Sequence, residues 1–126
     1  MLNESTVVAM AAVKDLNEAK KFYSEALQLK LIDENDFGLT YQSGDGKLFV
    51  YQAPTAGTNQ ATSANWEVSD IKAVIADLKS RGVDKWEHYE YPGAEHDGEI
   101  HILGGYKSAW FVDPSGNKLG LAEAVD

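Results

Sequence analysis

Apolar residues in this chain follow two spacings in turn, and each switch marks an element. Residues 6–13, TVVAMAAV, form a short apolar run with a β-branched start that ends at Lys14-Asp15, which predicts a strand. Asp15 can cap a helix directly after it, with Glu18 three residues on as in a capping box. Leu16, Ala19, Phe22, Tyr23, Ala26 and Leu27 then make a stripe at helical spacing. Strands are expected near 30–34, 37–42 and 47–52, with Ser43-Gly44-Asp45-Gly46 as the turn before the last. Residues 54–62, rich in Ala, Thr, Gly and Asn, read as a linker.

The pattern then starts again. Residues 63–70, SANWEVSD, lead into a second amphipathic stretch carrying Ile71, Val74, Ile75 and Leu78, which stops at Arg81-Gly82 where glycine suits the left-handed C-terminal position. Strands are expected near 84–91, 99–103, 107–112 and 117–122. Overlaying Val13-Lys14-Asp15-Leu16 on Val68-Ser69-Asp70-Ile71 brings Gly46 near Gly116, so each half reads strand, helix, then three strands. A repeat of this length predicts two supersecondary modules, 6–53 and 63–123, sharing a sheet or core in one domain over 1–126, because one module alone could hardly bury its apolar face.

Composition narrows the function. The hydrophobic fraction of 44% and charged fraction of 25% are those of an ordinary globular protein. Twenty acidic residues oppose eleven basic ones, a formal charge of -9. Nucleic acid and anionic membranes are therefore not expected partners, and cationic ligands are mildly favoured. The chain has no cysteine, so disulfides, thiolate nucleophiles and Cys-ligated zinc drop out together. The opening MLNEST lacks the basic start and apolar run of a signal peptide, and a cytoplasmic location is expected.

The doubled order, the "VKDLNEAKKFYSEALQLKL" opening and the "WFVDPSGNKLGL" close resemble the vicinal oxygen chelate superfamily, which holds glyoxalase I, extradiol dioxygenases, fosfomycin-resistance enzymes and bleomycin-binding proteins. The resemblance implies an α+β fold of two βαβββ modules whose mixed sheet curves around a cup, and a homodimer. In metal-using members each module offers one ligand from its first strand, usually His or Gln, and a carboxylate from its last. Counting from the anchors puts these positions at Val8, Ser63, near Val50, and at Gly120. Aliphatic groups, a hydroxyl and a hydrogen are poor ligands for a divalent ion, so no metal and no cofactor is expected there. The alternative account of Gly120 is relief of crowding beside Trp110 or Tyr51.

Two other clusters carry chemistry. Glu95-His96-Asp97-Gly98-Glu99-Ile100-His101 is the densest polar stretch; on a strand over 99–103, Glu99 and His101 would share a face and could ligate an ion or act as an acid–base pair. It matches no specific metal spacing, and a polar loop with a salt-linked histidine is the simpler reading. The aromatics are the second feature, with several crowded into "KWEHYEYPG". The anchors turn Trp66, Val68 and Phe111 toward the helices and Ser63, Asn65, Glu67 and Trp110 toward the cup. No serine lies in a nucleophile-elbow context.

The expected function is metal-free binding of a small aromatic or cationic organic molecule in the cup, lined by Met10, Val50, Asn65, Glu67 and Trp110. One alternative is a metal-dependent lyase or dioxygenase of the same superfamily with non-standard ligands drawn from Glu67, Glu99 and His101. Others are a metal-free isomerase or lyase with Glu67 or His101 as base, and an interaction module whose cup is filled by its own side chains.

Overall fold

The computed structural model describes residues 1–124. Two aspartates start its two main helices. Asp15 accepts hydrogen bonds from the backbone of Asn17 and Glu18 to open α1 (Leu16–Lys21), and Asp70 accepts from Ala73 to open α2 (Ile71–Ser80). The α1 stripe continues past Lys21 as a wider π-helical turn over Phe22–Ala26. Gly82, with φ +92°, ends the α2 region as its position predicts.

The first half adds β1 (Val8–Val13), β2 (Lys30–Asn35), β3 (Gly38–Ser43) and β4 (Gly46–Gln52), paired in the order β1-β4-β3-β2 with β1 and β4 parallel. The second adds β5 (Thr62–Glu67), β6 (Glu95–Asp97), β7 (Ile100–Leu103), β8 (Tyr106–Val112) and β9 (Lys118–Ala124), in the order β5-β9-β8-β7-β6 with β5 and β9 parallel. This is the expected α+β doubling, except that four strands rather than three follow α2, the short β6 being added at the sheet edge. No helix is long and apolar enough to cross a membrane among the described residues.

The strand expected near 84–91 is replaced by something else. Trp86 makes a single bridge to Phe111, flanked by hydrogen bonds from Glu87 N to Trp110 O and from Val112 N to Lys85 O. Residues 85–87 thus occupy the flank of β8 that β7 leaves free, because β7 pairs only along Tyr106–Ser108. The chain then leaves the sheet, and the β6–β7 hairpin supplies the edge instead.

Alternation along the strands divides the two sheet faces. Ala11, Val13, Leu39, Tyr41, Leu48 and Val50 from the first sheet, and Ile100, Ala109, Phe111, Leu119 and Leu121 from the second, are buried in one cluster with Ala19, Tyr23, Ile71, Ile75 and Leu78 of the helical segments. Trp66 joins this side as expected, stacking on Phe111 with ring centroids 6.2 Å apart and donating its indole N–H to Ser43 Oγ at 3.0 Å. β1 lies against β5, and residues of both halves contribute to one core cluster. Val50, expected on the cup side, is fully buried in this core; its neighbours Phe49 and Tyr51 point the other way, because a shift of one residue along β4 exchanges its two faces.

The joint between modules is polar. Asp113, 1% exposed, accepts from the Tyr23 phenol at 2.7 Å, from Ser115 N and Asn117 N at 3.0 and 2.8 Å, and from Asn117 Nδ2 at 2.8 Å. The turn it organises reaches β1 and the residue after it: Lys14 N donates to Ser115 Oγ and Asn117 Nδ2 donates to Ala12 O. Burial pushes the Tyr23 phenol well above its ordinary range, and the Asp113 carboxylate adds to this; burial raises Tyr41 as well. A raised folded pKa means that an unfolded tyrosine gives up its proton first. The contribution is complete below about pH 10 and is lost as pH climbs beyond that. Urea midpoints should therefore fall between about pH 9 and pH 11, and the fall should be shallower in Tyr23→Phe. Equal slopes in the two proteins would show that Tyr23 has no part in it.

Candidate functional site

The face opposite the helices is built from the alternate residues. In the first sheet Met10 pairs with Phe49 and Ala12 with Tyr51, and Thr40 also pairs with Phe49. The Phe49 and Tyr51 rings stack at 5.9 Å and 12°, and Met10 is 49% exposed beside them. In the second sheet two rows cross the strands. Asn65, Gly120 and Trp110 make one, and Glu67, Ala122, Ser108, His101 and His96 make the other.

Gly120 now has a steric account. A Cβ at this position would lie 2.6 Å from Asn65 Oδ1 and 3.3 Å from the Trp110 indole, so the two row neighbours close over the glycine. The crowding comes from Trp110 and Asn65; no Tyr51 atom is among its three nearest neighbours. Val8 sits exposed at the start of β1, and Ser63 falls at the register shift between Thr62 and Ala64. Of the four positions counted from the anchors, Val50 lies in the core, Val8 on a strand end, Ser63 at an irregularity and Gly120 under its neighbours.

Past Glu87, whose carboxylate Lys118 holds at 2.5 Å, the chain forms an aromatic strap over the second sheet. The Tyr89 ring meets Trp110 edge-on at 5.0 Å, and Tyr91 lies 6.2 Å from it, 42% exposed. Beneath the strap His101 is 2% exposed and 5.0 Å from Trp110. Its Nε2 accepts from Tyr89 N at 2.9 Å and its Nδ1 donates to Ser108 O at 3.3 Å. Burial is the main reason that its pKa lies below the usual histidine value, with the His96 and His88 charges acting in the same direction.

Glu99 and His101, which a shared strand face would have let pair, go to separate partners. The turn at Gly98, φ +61°, precedes β7, and Glu99 goes to Lys79 of α2, whose ammonium holds the carboxyl below its ordinary range. Glu67 is exposed, in a shallow hollow with Asn65, Tyr106 and Ala122. It lies three strand spacings from His101 along one row, about 14 Å, too far for the two to act on one bond. Asn65 and Trp110 are brought together, and Met10 lies on the other sheet. His88 was not singled out by the sequence, although it stands inside the quoted KWEHYEYPG. In the structure its ring stacks on His96 at 4.3 Å and lies 5.6 Å from His101. Only the strap's path brings 88 over 96 and 101.

Comparison with known proteins supplies the family. Among curated proteins none matches the chain. Among solved structures it is similar to a glyoxalase family protein from Enterococcus faecalis, with 21% identity over 98% of this chain and 100% of that one and a TM-score of 0.73. A bleomycin-binding protein complexed with bleomycin matches with 21% identity over 94% and 98% and a TM-score of 0.71. TnmS3, an antibiotic-binding protein from a Streptomyces strain, matches with 23% identity over 96% and 98% and a TM-score of 0.66. At these identities the likeness is one of fold. A family model described as the Glyoxalase/Bleomycin resistance protein/Dioxygenase superfamily matches residues 6–121, from before β1 into β9, and the chain belongs to that superfamily.

Proposed function

We propose that this protein binds a small aromatic or cationic organic molecule on the helix-free face, against Trp110, without a metal at the positions counted from the family anchors. The observation that carries the reading is the half-buried Trp110 at the centre of a row, with Asn65 beside it and Tyr89 and Tyr91 around it. Aromatic surface that is ordered by neighbours and still open to solvent suits a flat ligand. A formal charge of -9 and the exposed Glu67 favour a cationic one. The bleomycin-binding and antibiotic-binding proteins of similar fold support small-molecule binding. A lyase or dioxygenase centred on Glu67, Glu99 and His101 has weaker support, since Lys79 holds Glu99, the backbone of Tyr89 occupies His101, and Glu67 lies exposed three strands away from His101. A homodimer and a cytoplasmic location belong to the same reading. The apolar patch of Met10, Phe49 and Tyr51 would face the partner or the ligand, and sedimentation of the purified chain would decide the oligomeric state.

Titration with bleomycin and with the acridine cation proflavine, followed by tryptophan emission, tests the binding site. Saturable quenching is expected from at least one of the two, with Trp66 and Trp86 acting as a core background. Tyr91→Ala should weaken binding by about tenfold, the scale of one lost aromatic pair, and Trp110→Ala by more. Equal affinity in wild type and Trp110→Ala would place any binding elsewhere and end this proposal.

A further inference from the structure

The chain has three histidines, and all three meet at one place. His88 comes from the strap, His96 from β6 and His101 from β7, and one ring nitrogen from each lies within 4.8 Å of the other two. Nothing in the pairing of the strands requires this. His96 and His101 are opposite in the ladder, but His88 arrives from a segment with no ladder partner of its own. Among the described residues no other group of three histidines or carboxylates converges in this way.

Each ring also has one nitrogen engaged by an oxygen. His88 Nε2 is 2.7 Å from Glu90 Oε1, His96 Nε2 donates to Tyr89 O at 3.0 Å, and His101 Nδ1 donates to Ser108 O at 3.3 Å. A carboxylate or carbonyl on one nitrogen holds the proton there and leaves a lone pair on the other, which is how histidine ligands are oriented in metal centres. In His88 and His96 that second nitrogen has no protein partner among the described residues. In His101 it accepts the Tyr89 N–H.

We propose that His88, His96 and His101 bind one divalent first-row transition ion, of the zinc, nickel or copper class, with a fourth position open to solvent. Imidazole is the donor these ions share, three such donors leave room for water, and the cysteine-free chain offers no thiolate to compete. Tetrahedral zinc at ordinary Zn–N lengths sets its nitrogens about 3.3 Å apart. His88 and His96 are exposed and can rotate inward to reach that spacing. The buried His101 stays in place, and the ion takes the lone pair that Tyr89 N–H now occupies. Binding therefore loosens the Tyr89 contact with Trp110, while it ties the strap to the β6–β7 hairpin. The site lies on the β6–β7 side of the second sheet, away from Gly120, and it stands whether or not the Trp110 face binds an organic ligand.

The test uses the untagged chain after chelator treatment, titrated calorimetrically with Zn2+ and, separately, with Ni2+. Saturation at one equivalent, a rise in melting temperature with Zn2+ and a change in tryptophan emission are expected. His88→Ala and His96→Ala should each weaken binding by more than about tenfold, and Glu90→Gln by up to about that much. Both alanine replacements are at exposed positions, so metal-free melting should stay near wild type, which separates lost binding from lost folding. Absence of saturable binding in wild type, or wild-type affinity in the His88→Ala/His96→Ala double variant, would overturn the assignment.

Discussion

Replacing Asp113 with alanine is expected to cost about 3–5 kcal/mol of folding stability, a large part of what a domain of this size possesses. The carboxylate is 1% exposed and accepts from four donors, so its removal strands the Tyr23 hydroxyl, two backbone N–H groups and the Asn117 amide where water has little access. The loss also spreads, because the turn that Asp113 shapes presents Ser115 and Asn117 to the backbone of Lys14 and Ala12. Urea unfolding of wild type, Asp113→Ala and Asp113→Asn gives the measurement. Asparagine retains one acceptor oxygen but sets its own NH2 against donors, so it should fall between the other two. A loss below about 1 kcal/mol in the alanine variant would show that water replaces the carboxylate and that the joint is weaker than its geometry implies.

Gly57→Ala is expected to cost about 3 kcal/mol, although 54–62 reads as a linker in the sequence. Gly57 has φ +76°, and a Cβ there would lie 1.8 Å from the backbone oxygen of Ser115. Neither atom belongs to a side chain that could swing aside, so one of the two turns must move. Ala56, buried at 3% exposure, fastens the same segment to the body of the protein. Gly104→Ala is the matched control. It shares a positive φ, +60°, with open space around its Cβ, and should cost only about 1 kcal/mol of backbone strain. If both alanines cost the same, the linker is not pressed on the Asp113 turn and the added loss at Gly57 has no basis.

Much of the frame was legible because it rests on local rules. Asp15 and Asp70 cap helices where their spacing to the apolar stripes placed them, and Gly82 follows the second helix. Trp66 and Phe111 stack on the core side as alternation requires, with Asn65 and Trp110 on the other. Alternation failed where the starting count did. A turn glycine does not fix the register of the strand that follows it, and a one-residue slip exchanges the two faces, which is why Val50 lies in the core. Glu99 leaves the face of His101 for a related reason: the turn at Gly98 breaks the alternation and releases its side chain to Lys79.

The site was less legible than the fold. KWEHYEYPG announced aromatic density without saying what the rings would cover, since a strap is placed by the sheet beneath it. The convergence of His88 with His96 and His101, and the closing of Asn65 and Trp110 over Gly120, arise between segments that no sequence window contains together.

The sequence by itself determined the doubling of strand, helix and strands, the residues that open each helix and the inward or outward sense of β5 and β8, because these follow from spacing along one chain. Tertiary structure alone decided which polar groups meet. Asp113 finds Tyr23 across ninety positions, Gly57 finds Ser115, and three histidines find one another only after the modules have packed and the strap has crossed the sheet. Side-chain pairing over such distances depends on the path of the backbone between them, and that path is set by burial of the whole core.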